Sequence, residues 1–359
     1  MAKERRKTTK EEPEDLKVDR EGLLASLTKL KPALRSGAAI PELSHLWFNK
    51  QHAFAYDGGL GIRVPLDTEL DCGVPGAAML ALLKTSSLKQ VALEVDEGTL
   101  TVGLGRSRSK LNTLDLDREV WPFSAPPSEG VELSEKFIEA LRSVLLVKAS
   151  PAIRVEHHGV LVFSEKKHTD LYTTDSSTIA RATLEEKLAL PELTLLPRPF
   201  AEQLVAQCPA GAKLVVEDDH MVAIGAGIEL YSNVLDVTDV ADIRTVTNKA
   251  LKAHPTDVVL PAGFEAALDR AAVLSGGGEA WIELTIEGNE LRIDGKFVNG
   301  FGELAERLEL EEEHPEVEFS ANPVLLQRAL RVADTFSAVD SSMAFYGGDD
   351  FLYVVASRA

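Results

Sequence analysis

Few residues in this sequence are placed to do bond-making chemistry, and their spacing argues against it. His157 and His158 are adjacent and His168 follows, a set that invites a metal ion. Adjacent positions in a strand point to opposite faces, and no cysteine or carboxylate lies at ligand spacing. The run reads instead as a hairpin turn. Gly276-Gly277-Gly278 lacks the lysine and following helix cap of a phosphate-cradling loop. No Gly-x-Ser-x-Gly nucleophile element occurs. Cys72 and Cys208 are far apart, which argues against a disulfide framework and fits a reducing cytoplasm. No catalysis, metal or cofactor is expected.

The lysines and arginines offer a different chemistry, attraction to phosphate. The 359 residues carry a formal net charge of -19. This argues against whole-surface attraction to nucleic acid, but not against basic residues gathered on one face. Stretches with helical periodicity carry Lys29, Lys31, Arg35, Lys84, Lys136, Arg142, Lys148, Arg198, Arg270, Arg328 and Arg331. Acidic residues gather in loops and strands, at 311–313, 218–219 and 349–350, although Glu139, Glu202, Glu265 and Asp269 share the helices.

The elements that would position these cations recur along the chain. The last stretch reads as a helix (Phe264–Leu274), a hairpin turning at Glu287-Gly288-Asn289, an acidic run, a helix over 322–333 and a second hairpin turning at 347–350. Upstream, a short strand over 16–18 precedes a helix carrying Leu23, Leu24, Leu27, Leu30 and Leu34, which must end or kink near Pro32. Strands over 45–48 and 52–56 follow, then a helix from about Pro75 to Leu83 with proline in its first turn, then strands over 91–95, 100–104 and 109–116. Beyond a proline-rich linker over 121–130, a helix over 134–146 is capped by Ser134. A hairpin turning at 157–159 and a strand over 170–174 follow. Pro197-Arg198-Pro199 opens a fourth helix, and a hairpin turning at 218–220 and a strand over 227–231 lead to a second linker over 248–257. Helix starts fall near residues 21, 75, 134, 198, 262 and 322, a regular spacing that marks copies of one unit. The fold class is therefore α+β, three tandem copies of a domain with two helices on antiparallel sheet. The expected domains span 15–125, 126–250 and 251–359, after a disordered, solubilising tail over 1–14.

At this level the chain resembles the bacterial DNA polymerase sliding clamp, the beta processivity subunit, as a divergent member. The likeness is carried by Arg20-Glu-Gly-Leu-Leu24, Gly98-Thr-Leu-Thr-Val, Gly105-Arg-Ser-Arg108 and Leu111-Asn-Thr-Leu114 in the first copy. Gly159-Val-Leu-Val-Phe163, Tyr172-Thr-Thr-Asp175, Ile179-Ala180 and Ala241-Asp-Ile-Arg-Thr-Val246 carry it in the second, and Ala271-Ala-Val-Leu-Ser275 and Tyr353-Val-Val355 in the third. No one of these is diagnostic; their order and spacing are. The resemblance implies a homodimeric head-to-tail ring with helices lining the hole and sheets outside. Such a ring encircles duplex DNA without reading sequence, tethers a polymerase, is opened by an ATP-driven loader and catalyses nothing.

The resemblance assigns three sets of residues. Sliding calls for phosphate contact without base readout, and Lys29, Lys31, Arg35, Lys84, Lys136, Arg142, Arg198, Arg270, Arg328 and Arg331 are the candidates for the lining. Any one of them alone reads as a solvated helix face; Lys29, Arg142 and Arg328 are assigned to the lining as a set. A cleft for short extended peptides of the polymerase and loader maps to His157, Thr174, Ile179, Arg244, Thr245, Val246, Val354, Val355 and Ala356. At least one of Val354 and Val355 should face the core, because strand faces alternate. His157 stands where the family has an aliphatic residue, Ala356 is smaller than expected, and the end Ser357-Arg-Ala359 lacks the family's proline, so the pocket should have an altered shape. The ring seam maps to Leu111, Val273 and Leu274, with Glu303 and Glu306 placed to meet Arg106, Arg108 or Lys110. Ser109 replaces an aromatic there, which removes a large apolar contribution. The rival reading is a clamp-fold interaction scaffold that does not encircle DNA.

Overall fold

The computed structural model describes residues 16–37, 39–115, 122, 129–147, 154–208, 210–237, 242–254, 257–275, 281–297, 302–348 and 350–357. The tail expected over 1–14, Lys148, the glycine run 276–278 and most of the linker expected over 121–130 lie outside them. Contacts divide the chain into two units: Met1–Pro126 with Gly227–Tyr231, and Pro127–Ala226 with Ser232–Ala359.

The first unit runs β1 (Leu16–Asp19), α1 (Arg20–Lys29), β2 (His45–Phe48), β3 (His52–Tyr56), β4 (Leu60–Pro65), β5 (Gly73–Pro75), α2 (Gly76–Thr85), β6 (Gln90–Asp96), β7 (Thr99–Leu104) and β8 (Ser107–Asn112). Strands β1-β6-β7-β8 form one antiparallel sheet, and β5-β2-β3-β4 continue into β16 (Ile228–Asn233). Asp19 caps α1 by accepting from the Gly22 N–H at 2.6 Å. The helix buries Leu23 and Leu27 and stops before a 3-10 turn (Lys31–Ala33) containing Pro32. Trp47 is 1% exposed and lies over Gly73, where an added Cβ would come within 2.5 Å of its ring.

The second unit opens with β9 (Val131–Glu132), α3 (Glu135–Val144), β10 (Gly159–Ser164), β11 (Thr169–Thr174), β12 (Thr178–Leu184), β13 (Leu193–Pro197), α4 (Arg198–Gln207), β14 (Lys213–Val216) and β15 (His220–Gly225). It continues with α5 (Ile243–Ala253), β17 (Val258–Val259), α6 (Phe264–Leu274), β18 (Ile282–Phe297), β19 (Gly302–Ala321), α7 (Pro323–Ala329), β20 (Thr335–Val339), β21 (Ser342–Gly347) and β22 (Phe351–Ala356). An eight-stranded sheet in the order β13-β10-β11-β12-β22-β21-β20-β17 spans this unit. Helix α3 is capped by the Ser134 hydroxyl, which accepts from the Phe137 N–H at 3.1 Å, and buries Phe137, Ile138, Leu141 and Val144. Strand β12 alternates buried and half-buried residues, whereas every residue of β10 is buried. A continuous buried run of this kind means that both faces of the strand are covered. Among the described residues no helix is long and apolar enough to cross a membrane.

Several elements differ from the sequence expectation. The turn expected at Glu287-Gly288-Asn289 is absent: β18 runs straight through it, with register shifts on either side of Gly288. Gly288 has φ 63°, so the residue that signalled a turn forms a bulge instead. The residues opposite, between Glu309 and His314, include the acidic run 311–313, which therefore lies on a strand. The turn expected at 157–159 is a 3-10 turn (Val155–His158), and Gly159 already belongs to β10. The second linker is largely helix α5, capped by Asp242, which accepts from the Thr245 N–H at 3.1 Å. Helix α7 ends at Ala329, short of residue 333, Pro75 is the cap of α2 rather than its first turn, and β4 was not foreseen.

Candidate functional site

The ten cations assigned to the helices do not share one environment. Lys29 and Lys84 lie exposed in the last turns of α1 and α2, and Lys31 and Arg35 are exposed just beyond α1. Lys136 and Arg142 are exposed on α3, and Arg331 is exposed past the end of α7. The other three are engaged within the fold. Arg198, the first residue of α4, donates from Nη1 to the Val147 carbonyl at 2.5 Å, from Nη2 to the Leu145 carbonyl at 2.9 Å, and from Nε to Glu202 at 2.8 Å. Its fork satisfies carbonyls left over at the end of α3. Arg20 makes the same arrangement in the first unit, donating from the first residue of α1 to the Leu88 carbonyl at 2.7 Å and the Leu83 carbonyl at 3.2 Å. Arg270 donates to Glu306 at 2.6 Å. Arg328 has a buried Nη1 without a hydrogen-bond partner beside the buried Tyr353 hydroxyl. Burial pushes that phenol up to about 12, against the pull of the Arg328 charge. Arg198 and Arg328 are thus corrected from solvent-facing cations to internal ones, whereas Arg270 stays exposed in a surface ion pair.

The cleft residues converge on one face of the long sheet. Thr174 pairs with Ile179, and Ile179 pairs with Val354 across the β12–β22 junction. Directly opposed residues project to the same side, so these three lie in a row. Val355 pairs with Thr178 and Met343 on the opposite face and is 0% exposed. Val354 therefore belongs to the cleft face and Val355 to the core, which corrects the assignment of Val355. Helix α5 covers the row from above. Its Ile243 joins Leu161, Phe163, Tyr172 and Leu195 in one apolar cluster against which Ile179 packs. Two turns later Ala250 and Leu251 pack against a second cluster made of Ala344, Leu352 and Val354. Between these anchors Val246 is left 52% exposed.

The polar members frame this apolar row. The Arg244 guanidinium carbon lies 4.6 Å over the Phe163 ring, and its Nη1 donates to Glu165 at 2.7 Å. The Thr245 hydroxyl is turned back to Asp242 at 2.6 Å, so it serves the helix cap. His157 is 6% exposed, with Nε2 at 3.4 Å from the Ser176 hydroxyl and Nδ1 buried without a hydrogen-bond partner. Ala356 is exposed at the end of β22, its N–H bonded to the Ser177 carbonyl at 2.8 Å. Helix α5, with Phe163 and Tyr172 beneath it, was the part not foreseen. The signal was present as Ile243, Val246, Thr247, Ala250 and Leu251 at helical spacing.

Comparison with known proteins gives the architecture a context. Compared by sequence, the chain matches no protein-family model and no curated protein. By structure it is similar to the DNA polymerase III subunit beta sliding clamp of Pseudomonas aeruginosa bound to griselimycin, with a TM-score of 0.79 at 20% identity over 96% of this chain and 99% of that one. It is similar to the Thermotoga maritima DNA polymerase III beta subunit at a TM-score of 0.79 and 18% identity, over 96% and 99% of the two chains. The Bacillus subtilis DNA polymerase sliding clamp gives 0.79 at 16% identity, over 96% and 98%. The chain has the sliding-clamp fold.

The residues that the clamp fold would place at a seam are mixed in character. Val273 on α6 is 76% exposed, a large apolar side chain given to solvent, and Leu274 beside it and Leu111 on β8 are half-buried. Arg106 and Arg108 are exposed, with Arg108 4.0 Å from Glu94 across the sheet. Glu303 is exposed, whereas Glu306 is held by Arg270. Within the chain, Glu306 is engaged by Arg270 in a surface ion pair rather than by Arg106, Arg108 or Lys110. Cys72 and Cys208 are buried, and burial pushes both thiols up to about 11, which makes them poor nucleophiles. The described residues offer one three-donor cluster, Glu217, Asp219 and His220 in the β14–β15 turn, mostly exposed and far in sequence from His157 and His158.

Proposed function

We propose that the chain is a DNA sliding clamp, a ring of two head-to-tail copies that encircles duplex DNA and tethers a replicative polymerase without catalysing a reaction. Each copy would contribute three domains, over 15–125, 126–250 and 251–359. The observation that carries the reading is a likeness at a TM-score of 0.79 extending over 96% of the chain, so that it takes in the full succession of helices and sheets and not a shared substructure. The apolar row of Thr174, Ile179 and Val354 under α5 supports a partner cleft. The half-buried Thr174 and Ile179 at its edge, with the exposed Val246 and with Arg244, would give an extended peptide its contacts, while Val354 forms the floor. Polymerase and loader would compete for it. The 76% exposed Val273 supports a seam with a second copy. The test is retention on nicked circular DNA after loading. Protein that stays bound until the circle is cut, then slides off the ends, is a clamp. Release at equal rates from circle and linear DNA would leave only the scaffold reading.

A further inference from the structure

Helix α5 lies on the opposite face of the long sheet from α3 and α7. Thr173, next to Thr174 on β11, bonds the Val144 carbonyl of α3 at 2.5 Å, and Tyr353, next to Val354 on β22, lies beside Arg328 of α7. Successive strand residues point to opposite faces. The row of Thr174, Ile179 and Val354 is therefore turned away from α3 and α7 and toward α5. A second row runs beside it on the same face: Tyr172 pairs with Arg181, Arg181 with Leu352 and Leu352 with Tyr346. The Arg181 charge bears on both phenols, and its Nε is buried without a hydrogen-bond partner.

The helix over these rows is basic in an acidic chain. The sequence has 57 acidic residues against 38 lysines and arginines, yet α5 carries Arg244, Lys249 and Lys252 and no acidic residue. Arg244 is engaged by Glu165, the Asp242 carboxylate by Thr245, and the Asp257 carboxylate by the Thr335 hydroxyl. Lys249 and Lys252 are exposed and form no ion pair among the described residues. Steps of three residues set Val246, Lys249 and Lys252 side by side on the helix surface. An exposed apolar side chain is thus bordered by two exposed lysines, with a half-buried arginine on the sheet below.

We propose that the cleft selects extended peptides that carry acidic side chains within about three residues of the apolar side chain seated against Val246. This rests on the partner-cleft reading above. The helix rise puts Lys249 about 4.5 Å and Lys252 about 9 Å along the axis from Val246. An extended peptide advances about 3.3 Å per residue, so acids one to three positions from the anchor come opposite the two lysines. Arg181 adds attraction from below, where salt screens a half-buried charge less. A peptide suits this face better than a nucleic-acid backbone, because phosphates leave Val246 without an apolar partner. Charges at the rim of such a site act mainly on the rate of encounter and its dependence on salt.

The test pans a random dodecamer phage library on the full-length protein and follows the strongest peptide, fluorescein-labelled, by anisotropy. That peptide is compared with a form in which its acids are replaced by the matching amides. Each is titrated against wild type, against Lys249→Gln with Lys252→Gln, and against Val246→Gln, with thermal melts to confirm folding. Acids should be enriched beside the apolar anchor. The amide form should bind wild type about fivefold more weakly at low salt, as expected of exposed ion pairs, and the gap should close in the lysine variant. Enriched peptides without acids, an amide form that binds as well, or a gap that persists in the lysine variant overturns the proposal. So does displacement of the peptide by an unlabelled duplex, which would give the face to nucleic acid. A peptide that ignores Val246→Gln, or no enriched peptide at all, sinks the cleft reading itself; one that needs Val246 but ignores the lysines sinks only the preference for acids.

Discussion

Arg198 separates a structural role from a DNA-binding one, because its geometry makes opposite demands for the two. Its guanidinium donates to two carbonyls at the end of α3 and to Glu202, and its side chain is 16% exposed. Val147, one of the acceptor residues, is 0% exposed. Arg198→Met keeps much of the stem's packing and removes the fork. Each charge-assisted bond is worth roughly 1.5–3 kcal/mol, and a stranded buried carbonyl adds a desolvation cost. Water can reach the half-buried Leu145 side and recover part of this, so the net loss should be about 3 kcal/mol. Arg198→Lys keeps the charge but cannot span both carbonyls, and should lose most of the same stability. The assay is urea unfolding of the full chain followed by circular dichroism, read as the midpoint and slope of each transition, beside DNA affinity at fixed salt. Both variants should shift the midpoint and leave affinity per folded molecule unchanged. A methionine variant as stable as wild type but weaker on DNA would refute the internal role.

Other outcomes follow from single features. Val246→Glu, at a position 52% exposed, should weaken binding of the polymerase's peptide at least tenfold with no change in melting; isothermal titration checks both the affinity and the stoichiometry. Val273→Glu, at a position 76% exposed, should shift the protein toward monomer by analytical ultracentrifugation while the melting curve holds. Acid should loosen the packing around His254. His254 is buried between the Ser337 and Ser342 hydroxyls, and burial, then the neighbouring His314, hold its pKa below 6.5. The unfolded chain therefore binds more protons, and the His254 contribution is complete above about pH 6.5 and is lost as pH falls below it. Urea midpoints at neutral and acid pH should diverge less in His254→Gln than in wild type. Gly159→Ala should prevent folding, because its Cβ would lie 2.1 Å from the Leu196 carbonyl oxygen; soluble yield and a circular dichroism spectrum decide this.

Much of the fold was legible because its helices are bounded by strong signals. Ser134 announces a cap that the structure uses, and Pro32 ends α1 as its ring requires. What misled was local chemistry overruled by pairing. Glu287-Gly288-Asn289 has turn composition, yet β18 keeps its partner on both sides, so the glycine is absorbed as a bulge. Helix α5 was hidden by Asn248 and His254-Pro255, although its apolar spacing was helical. Site residues were legible by type but not by direction. Whether an arginine faces solvent depends on which acceptors the fold brings near it. Nothing local to Arg198, Arg270 or Arg328 reveals the carbonyls of α3, the Glu306 side chain or the Tyr353 phenol.

Helix α5 has a mechanical consequence. It is anchored at one end in the Ile243 cluster and at the other by Ala250 and Leu251, on either side of the seam where β12 meets β22. A rod fixed on both sides of a joint acts as a splint. Bending at β12–β22 would have to break five successive residue pairings and also pull one end of the rod from its apolar seat. The strands on either side of this junction should therefore move as one lever arm. A peptide lying along Val246 and Ile179 would load the splint from outside, so occupancy of the cleft should register as added stiffness before it registers as a change of shape.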